Sequence, residues 1–385
     1  MYYPDAGNVY SNPFSSFRMA GFECTDQQNA FGNRVDFLSI TGHIDRLQQD
    51  YALLGELGMR TVREGIRWSK VETKPYEYDW SGVDAIIEAS VETSVQIVWD
   101  ICHFGFPDDL TPLHPMFARR FGQICAAFVK HYRSLVPDGH LVVTPINEVS
   151  FLSWLGGDVR GTSPYCVGQG WEVKYMLMKA YIEGIELMLE VDPSVRIMTT
   201  EPLIHIAPAN PSDTVSVINA NIKHQEQFQV LDILSGKMCP ELRGKPEYLD
   251  IIGLNFYFNN QWLNETHEFL PWGDFPPHPY WKPLSALVEE TFLRYGRPIV
   301  ISETSHPGED RPKWLEMIGH ECYSVLQQGL PLLGCCVYPI IDRPDWDFTD
   351  NWHRSGLWDI YDTVTLERIA NRASIVSVKN FWPGK

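Results

Sequence analysis

The feature that most constrains this chain is a rhythm. Eight short apolar runs rich in β-branched residues alternate with longer segments whose apolar residues recur every three or four positions. The runs predict strands over residues 18–24, 61–65, 95–100, 141–146, 195–200, 249–255, 298–302 and 334–338. The intervening periodicity predicts helices over 43–57, 83–90, 116–135, 171–190, 214–234, 284–295, 313–328 and 366–378. Runs such as Val95-Gln96-Ile97-Val98 and Ile251-Ile252-Gly253-Leu254 read as strands of a parallel sheet buried on both faces. The rhythm therefore predicts an α/β fold, a single (β/α)8 TIM barrel with long top-face βα loops, spanning residues 1–385 as one domain. A doubly wound open sheet is the rival. Against it, no G-x-G-x-x-G follows the first strand, no phosphate-binding G-x-x-x-x-G-K-[ST] occurs, and no linker divides the chain.

Charge and cysteine usage narrow the partners. Against 31 Lys and Arg stand 49 Asp and Glu, a net charge of −18 spread along the chain, which disfavours nucleic acid and anionic membrane surfaces. The longest apolar run, 330–341, is interrupted by Gly334 and Pro339 and falls short of the roughly 18 to 20 residues that cross a bilayer. The start, Met1-Tyr2-Tyr3-Pro4-Asp5, lacks the basic and apolar regions of a secretion signal, so a cytoplasmic location is expected. Cysteines 24, 102, 125, 166, 239, 322, 335 and 336 form no C-x-x-C and no regular spacing, which predicts free buried thiols rather than disulfides or zinc.

In a barrel of this kind the site forms where strands end and βα loops begin. Here the ends carry Glu23 and Gln28; Arg63; Asp100 and His103; Asn147 and Glu148; Glu201; Asn255 and Tyr257; Glu303; Tyr338 and Asp342. Glu148 and Glu303 each directly follow a strand and are expected to face each other across the mouth. Paired carboxylates suit cleavage of a glycosidic bond: one is protonated to help the leaving oxygen depart, and the other stays ionised at the oxocarbenium-like centre. Arg63 and Tyr257 are placed to keep Glu303 ionised, whereas Glu148, near a second anion in a dry pocket, is expected to hold its proton more tightly. Glu23, Glu64 and Glu201 are competing carboxylates, read as supporting or surface groups. Residues 259–282, irregular and rich in Trp, Pro and His, are a candidate lid.

These residues sit in a longer pattern. Arg63-Glu64-Gly65-Ile66-Arg67-Trp68-Ser69 resembles R-F-S-I-S-W-S, and His103-Phe104-Gly105-Phe106-Pro107 with Leu110 resembles H-W-D-L-P-x-x-L. Residues 144–148 resemble T-x-N-E-P, 250–257 resemble D-F-I-G-x-N-Y-Y, and Ile301-Ser302-Glu303 resembles the start of I-T-E-N-G. Residues 332–346 resemble G-Y-x-x-W-S-L-L-D-N-F-E-W, and Arg354-Ser355-Gly356-Leu357 resembles the R-F-G-L that follows. In order and spacing, over about residues 18–360, the chain resembles glycoside hydrolase family 1, the retaining β-glucosidase-like glycosidases, as a short and divergent member. It departs from the pattern at Val149, where a proline follows the acid; at Thr304-Ser305, in place of Asn-Gly; at Tyr338, in place of Trp; and at Asp345, in place of Glu.

The resemblance implies an exo-acting β-glycosidase that works by double displacement, without cofactor or metal, on a small β-glycoside or oligosaccharide. Glu303 is then the nucleophile and Glu148 the acid/base, with carboxyls about 5 to 5.5 Å apart. Gln28, His103, Asn147, Tyr257, Tyr338, Asp345 and Trp346 are the implied sugar-binding residues, and Arg63, Tyr257 and Asn255 the groups behind the nucleophile. A transglycosidase on the same carboxylates, or a catalytically silent carbohydrate-binding barrel, is the alternative.

Overall fold

The computed structural model describes residues 11–274 and 276–384. Among them, eight parallel strands close into a barrel in chain order: β1 (Arg18–Gly21), β2 (Thr61–Gly65), β3 (Gln96–Cys102), β4 (Val142–Ile146), β5 (Arg196–Pro202), β6 (Ile251–Asn255), β7 (Ile299–Thr304) and β8 (Leu332–Val337), which pairs back onto β1. The (β/α)8 expectation is met. One helix or helix pair follows each strand: α1 (Leu47–Leu54), α2 (Ser81–Thr93), α3 (Phe117–Leu135), α4 (Gly170–Val191), α5 (Thr214–Gln225), α6 (Leu284–Tyr295), α7 (Arg311–Gln327) and α8 (Arg372–Phe381). No helix among the described residues is long and apolar enough to cross a membrane.

Two apolar layers hold the barrel. Inside it, Met19, Val98, Val142, Met198, Ile251 and Val300 pack from six of the eight strands, with Phe14 and Tyr338 in the same cluster. Outside it, the helices bury their apolar stripes against the alternate strand residues. α3 shows why these segments are helical: Phe117, Phe121, Ile124, Cys125 and Phe128 recur at helical spacing and all are buried. At the bottom, Ser16 Oγ accepts from the Thr61 amide at 3.1 Å, and Trp382, just past α8, donates Nε1 to Leu315 O at 2.7 Å. The first and last elements are thereby tied to the same barrel.

Three elements differ from the sequence expectation. β1 ends at Gly21, where a Cβ would lie 2.1 Å from the Tyr338 ring, although the Phe22 amide still donates to Arg63 O at 3.2 Å. The fifth helical segment breaks at Glu226–Phe228, a 3₁₀ turn before Gln229–Leu234. The last helix begins at Arg372 rather than 366, since Leu366 has a left-handed φ of 51° and Ile369–Ala370 pair with Trp358–Asp359. Asn371 then caps α8 by accepting from the Ser374 amide.

Candidate active site

The strand ends converge on a buried network centred on Arg63. Its Nη1 donates to Glu303 Oε1 at 2.8 Å and to Ser302 O at 2.9 Å, while Nη2 donates to Asp100 Oδ2 at 2.7 Å and Asn147 Oδ1 at 3.1 Å. Tyr257 completes the grip on the second oxygen of Glu303, donating its O–H to Oε2 at 2.8 Å. Both oxygens of Glu303, which is 4% exposed, therefore have a fixed donor. Such contacts from two sides set its rotamer.

Glu148 is in a different environment. It lies two residues past β4 with a left-handed backbone, φ 46° and ψ 59°, and its side chain is only partly exposed. Burial first, and the charge of Glu303 second, push its carboxyl well above the ordinary carboxylate range, against the opposing hydrogen bond from Asn255. Asn255 donates Nδ2 to Glu148 Oε1 at 2.9 Å, and its Oδ1 accepts from Ser302 Oγ at 2.6 Å. Asn255 thus stands beside Glu303 in strand register, as expected of a group behind it, and reaches Glu148 as well. Placed at the end of β6, its two-headed amide bridges from β7 to the acid on β4.

Asn147 and His103 occupy the space between these groups. Asn147 Oδ1 also accepts from Thr200 Oγ1 at 2.7 Å, which turns its Nδ2 toward His103 Nε2 at 3.3 Å. His103 Nδ1 meets Asp100 Oδ2 at 2.9 Å, and its Nε2 lies 3.2 Å from the Tyr338 hydroxyl. Burial works against a charge on His103, but the Asp100 hydrogen bond and carboxylate outweigh it and raise its pKa. Tyr338 is 2% exposed, stacked on His103 with ring centroids 5.5 Å apart, and Arg63 lies over its ring at 5.1 Å. It is a packed wall of the site rather than an open platform.

Trp346, half-buried, packs edge-on against Phe104 and Phe151, and its Nε1 is buried without a hydrogen-bond partner. Two of the expected sugar-binding residues have their polar atoms engaged elsewhere. Gln28 donates Nε2 to Asp108 Oδ1 at 2.9 Å, and Asp345 accepts from the Asp347 and Phe348 amides at 2.9 and 3.0 Å and meets His353 Nε2 at 3.0 Å. Asp345 thus holds its own loop. Gln27, beside Gln28 and not among the expected residues, is 1% exposed and its Oε1 has no partner. The signal available in sequence was the adjacent pair of glutamines, which leaves a choice that only the loop geometry makes.

The competing carboxylates are all buried, so none is a surface group. Glu64 faces away from the mouth, accepting from Tyr51 O–H at 2.7 Å and meeting His43 Nε2 at 2.8 Å. Glu23 accepts from Thr25 Oγ1 at 2.6 Å and lies 3.7 Å from His103 and 3.6 Å from Arg343. Glu201 adjoins Glu148. Apart from residue 275, which lies outside the described residues, the candidate lid is pinned down: Gln261–Leu263 pairs with His205–Ala207, and Trp272 donates Nε1 to His306 Nε2 at 3.2 Å.

Among the described residues, Cys24, Asp100 and His103 bring one donor atom each within 4.8 Å of one another. The Arg63 guanidinium already sits on the Asp100 oxygen of this group, so a cation there would meet a fixed positive charge.

The structure is similar to those of family 1 β-glucosidases. It matches a family 1 β-glucosidase from Thermotoga maritima with a TM-score of 0.70 at 16% identity, over 88% of this chain and 86% of that one. The Thermotoga maritima β-glucosidase in complex with glucoimidazole matches with a TM-score of 0.73 at 15% identity, over 96% and 97% of the two chains. The AHE enzyme from Alicyclobacillus herbarius gives 0.71 at 12% identity, over 96% and 98%. By sequence, no protein-family model and no curated protein matches the chain.

Proposed function

We propose that this protein is a retaining, exo-acting β-glycosidase of β-glucosidase type that hydrolyses small β-O-glycosides. The observation that carries the reading is the unequal treatment of two neighbouring carboxyls. Glu303 is held by Arg63 and Tyr257, one on each oxygen, whereas burial and the Glu303 charge drive Glu148 toward its protonated form. In the first step a Glu303 oxygen attacks the anomeric carbon, the bond to the aglycone oxygen breaks, and the Glu148 proton passes to that oxygen. In the second step Glu148, now a carboxylate, takes a proton from water, whose oxygen displaces Glu303 from the anomeric carbon.

The amide of Asn147, oriented by Arg63 and Thr200, suits the sugar 2-hydroxyl, where contacts tighten in the transition state. The unpartnered Gln27 carbonyl and Trp346 Nε1 are the groups we assign to further sugar hydroxyls, since a buried polar atom without a partner is costly until a ligand supplies one. His103 joins them. The sugar-like inhibitors bound by the Thermotoga maritima β-glucosidase, among them deoxynojirimycin, support a small glycoside as ligand. Hydrolysis of a panel of chromogenic β- and α-glycosides, run beside Glu303→Gln and Glu148→Gln, tests the reading. Release from β-substrates that is lost in Glu303→Gln is expected; sugar binding with no release across the panel would leave the silent barrel instead.

A further inference from the structure

Val149 stands where the resembled motif has a proline directly after the acid. A proline in the first position of a helix has a preset φ and no N–H to satisfy. Val149 offers neither, yet it begins the helix Val149–Gly157, and Glu148 just before it keeps a left-handed backbone that a residue with a side chain adopts at a cost. The first amides of a helix need acceptors, and no side chain at the start of this helix supplies one.

The acceptors come from the neighbouring strand. Glu201, at the end of β5 and 1% exposed, accepts from the Ser150 amide at 3.2 Å through Oε2 and at 3.4 Å through Oε1. Burial raises the Glu201 carboxyl from its ordinary range to about 7, against the opposing hydrogen bonds from Ser150 and Val149 and the charge of Lys174. One residue earlier on β5, Thr200 O accepts from the Glu148 amide at 2.9 Å. Two consecutive residues of one barrel strand thus hold the backbone on both sides of the acid. Lys174 of α4, itself tied to Gln229 Oε1 at 2.7 Å, supplies a cation near Glu201.

We propose that Glu201 is a positioning residue for Glu148, its side-chain oxygens capping the helix from β5 in place of the missing proline and so fixing the direction in which the acid is presented. This inference rests on the glycosidase reading. The proton on Glu148 matters only when the leaving oxygen needs one, so mispositioning it penalises poor leaving groups and spares good ones. A displacement of about 1 Å is enough for roughly a 100-fold loss.

The test measures kcat/KM for an alkyl β-glucoside and a dinitrophenyl β-glucoside in the wild type, Glu201→Ala and Glu201→Gln. Glu201→Ala should lose roughly 100-fold on the alkyl substrate and less than about threefold on the dinitrophenyl one. Glu201→Gln, which keeps an acceptor oxygen, should hold the ratio of the two rates near that of the wild type. If Glu201→Ala does not fold, Glu201→Leu fills the same space without an acceptor and should show the same split. Equal losses on both substrates in an active enzyme would overturn this inference alone, as would an unchanged ratio. A wild type inactive on both substrates would overturn the glycosidase reading and this inference with it.

Discussion

Replacing Tyr257 by Phe removes one oxygen and little else. The hydroxyl donates to Glu303 Oε2 at 2.8 Å from a half-buried side chain, and the ring keeps its volume in the variant. A hydrogen bond to an ionised partner contributes about 1.5–3 kcal/mol, more than the 0.5–1.5 kcal/mol or so of a neutral pair. Arg63 still holds Oε1, so the carboxyl retains one anchor and loses the second, and with it the fixed rotamer that aims it at the anomeric carbon. If the whole contribution is expressed in the transition state, kcat/KM falls by roughly 10- to 150-fold. The assay is kcat/KM for a β-glucoside with a good leaving group, whose departure in the first step does not need the Glu148 proton. A loss below about threefold with such a substrate would refute the assignment of Tyr257 to the nucleophile.

Further outcomes follow from other parts of the network. Gln27→Ala should lower kcat/KM by about 2- to 15-fold, the value of one neutral hydrogen bond, whereas Gln28→Ala, which releases only Asp108, should leave it within about twofold; the reverse order would restore Gln28 as the sugar-binding residue. His43 is buried between Asp50 and Glu64; burial opposes its charge, but Glu64 and then Asp50 outweigh this and push its pKa from 6.5 up to about 9. A raised folded pKa stabilises the fold fully below the unfolded value and is lost as pH rises through the folded one, so stability on the order of 3 kcal/mol should disappear between pH 6.5 and about 9. Thermal unfolding across this range should show a decline that His43→Gln lacks; parallel profiles would remove the charged His43.

The barrel was legible in the chain because its strands are buried on both faces and its helices on one, which leaves two periodicities that local sequence cannot hide. The juxtaposition of Glu148 and Glu303 was legible for a related reason: both lie at the ends of apolar runs, and closure of the barrel brings such ends together whatever the loops do. Roles that depend on side-chain direction were not legible. Asn255 lies next to Glu303 in strand register, yet its amide reaches across to Glu148. Asp345 aligns with a sugar-binding position, but two local amides and His353 take its oxygens. Glu201 was placed among supporting or surface groups because its partner is a backbone amide 51 positions away, and no motif records such a contact.

The account stands or falls on a covalent intermediate at Glu303. A β-glucoside carrying fluorine at position 2 and a good leaving group slows the second step more than the first, so the glycosyl-enzyme accumulates and its peptide can be identified by mass spectrometry. The account predicts one sugar per chain, attached at Glu303, with inactivation following the same time course. Turnover of β-glycosides with no adduct, or with an adduct on any other residue, would contradict it.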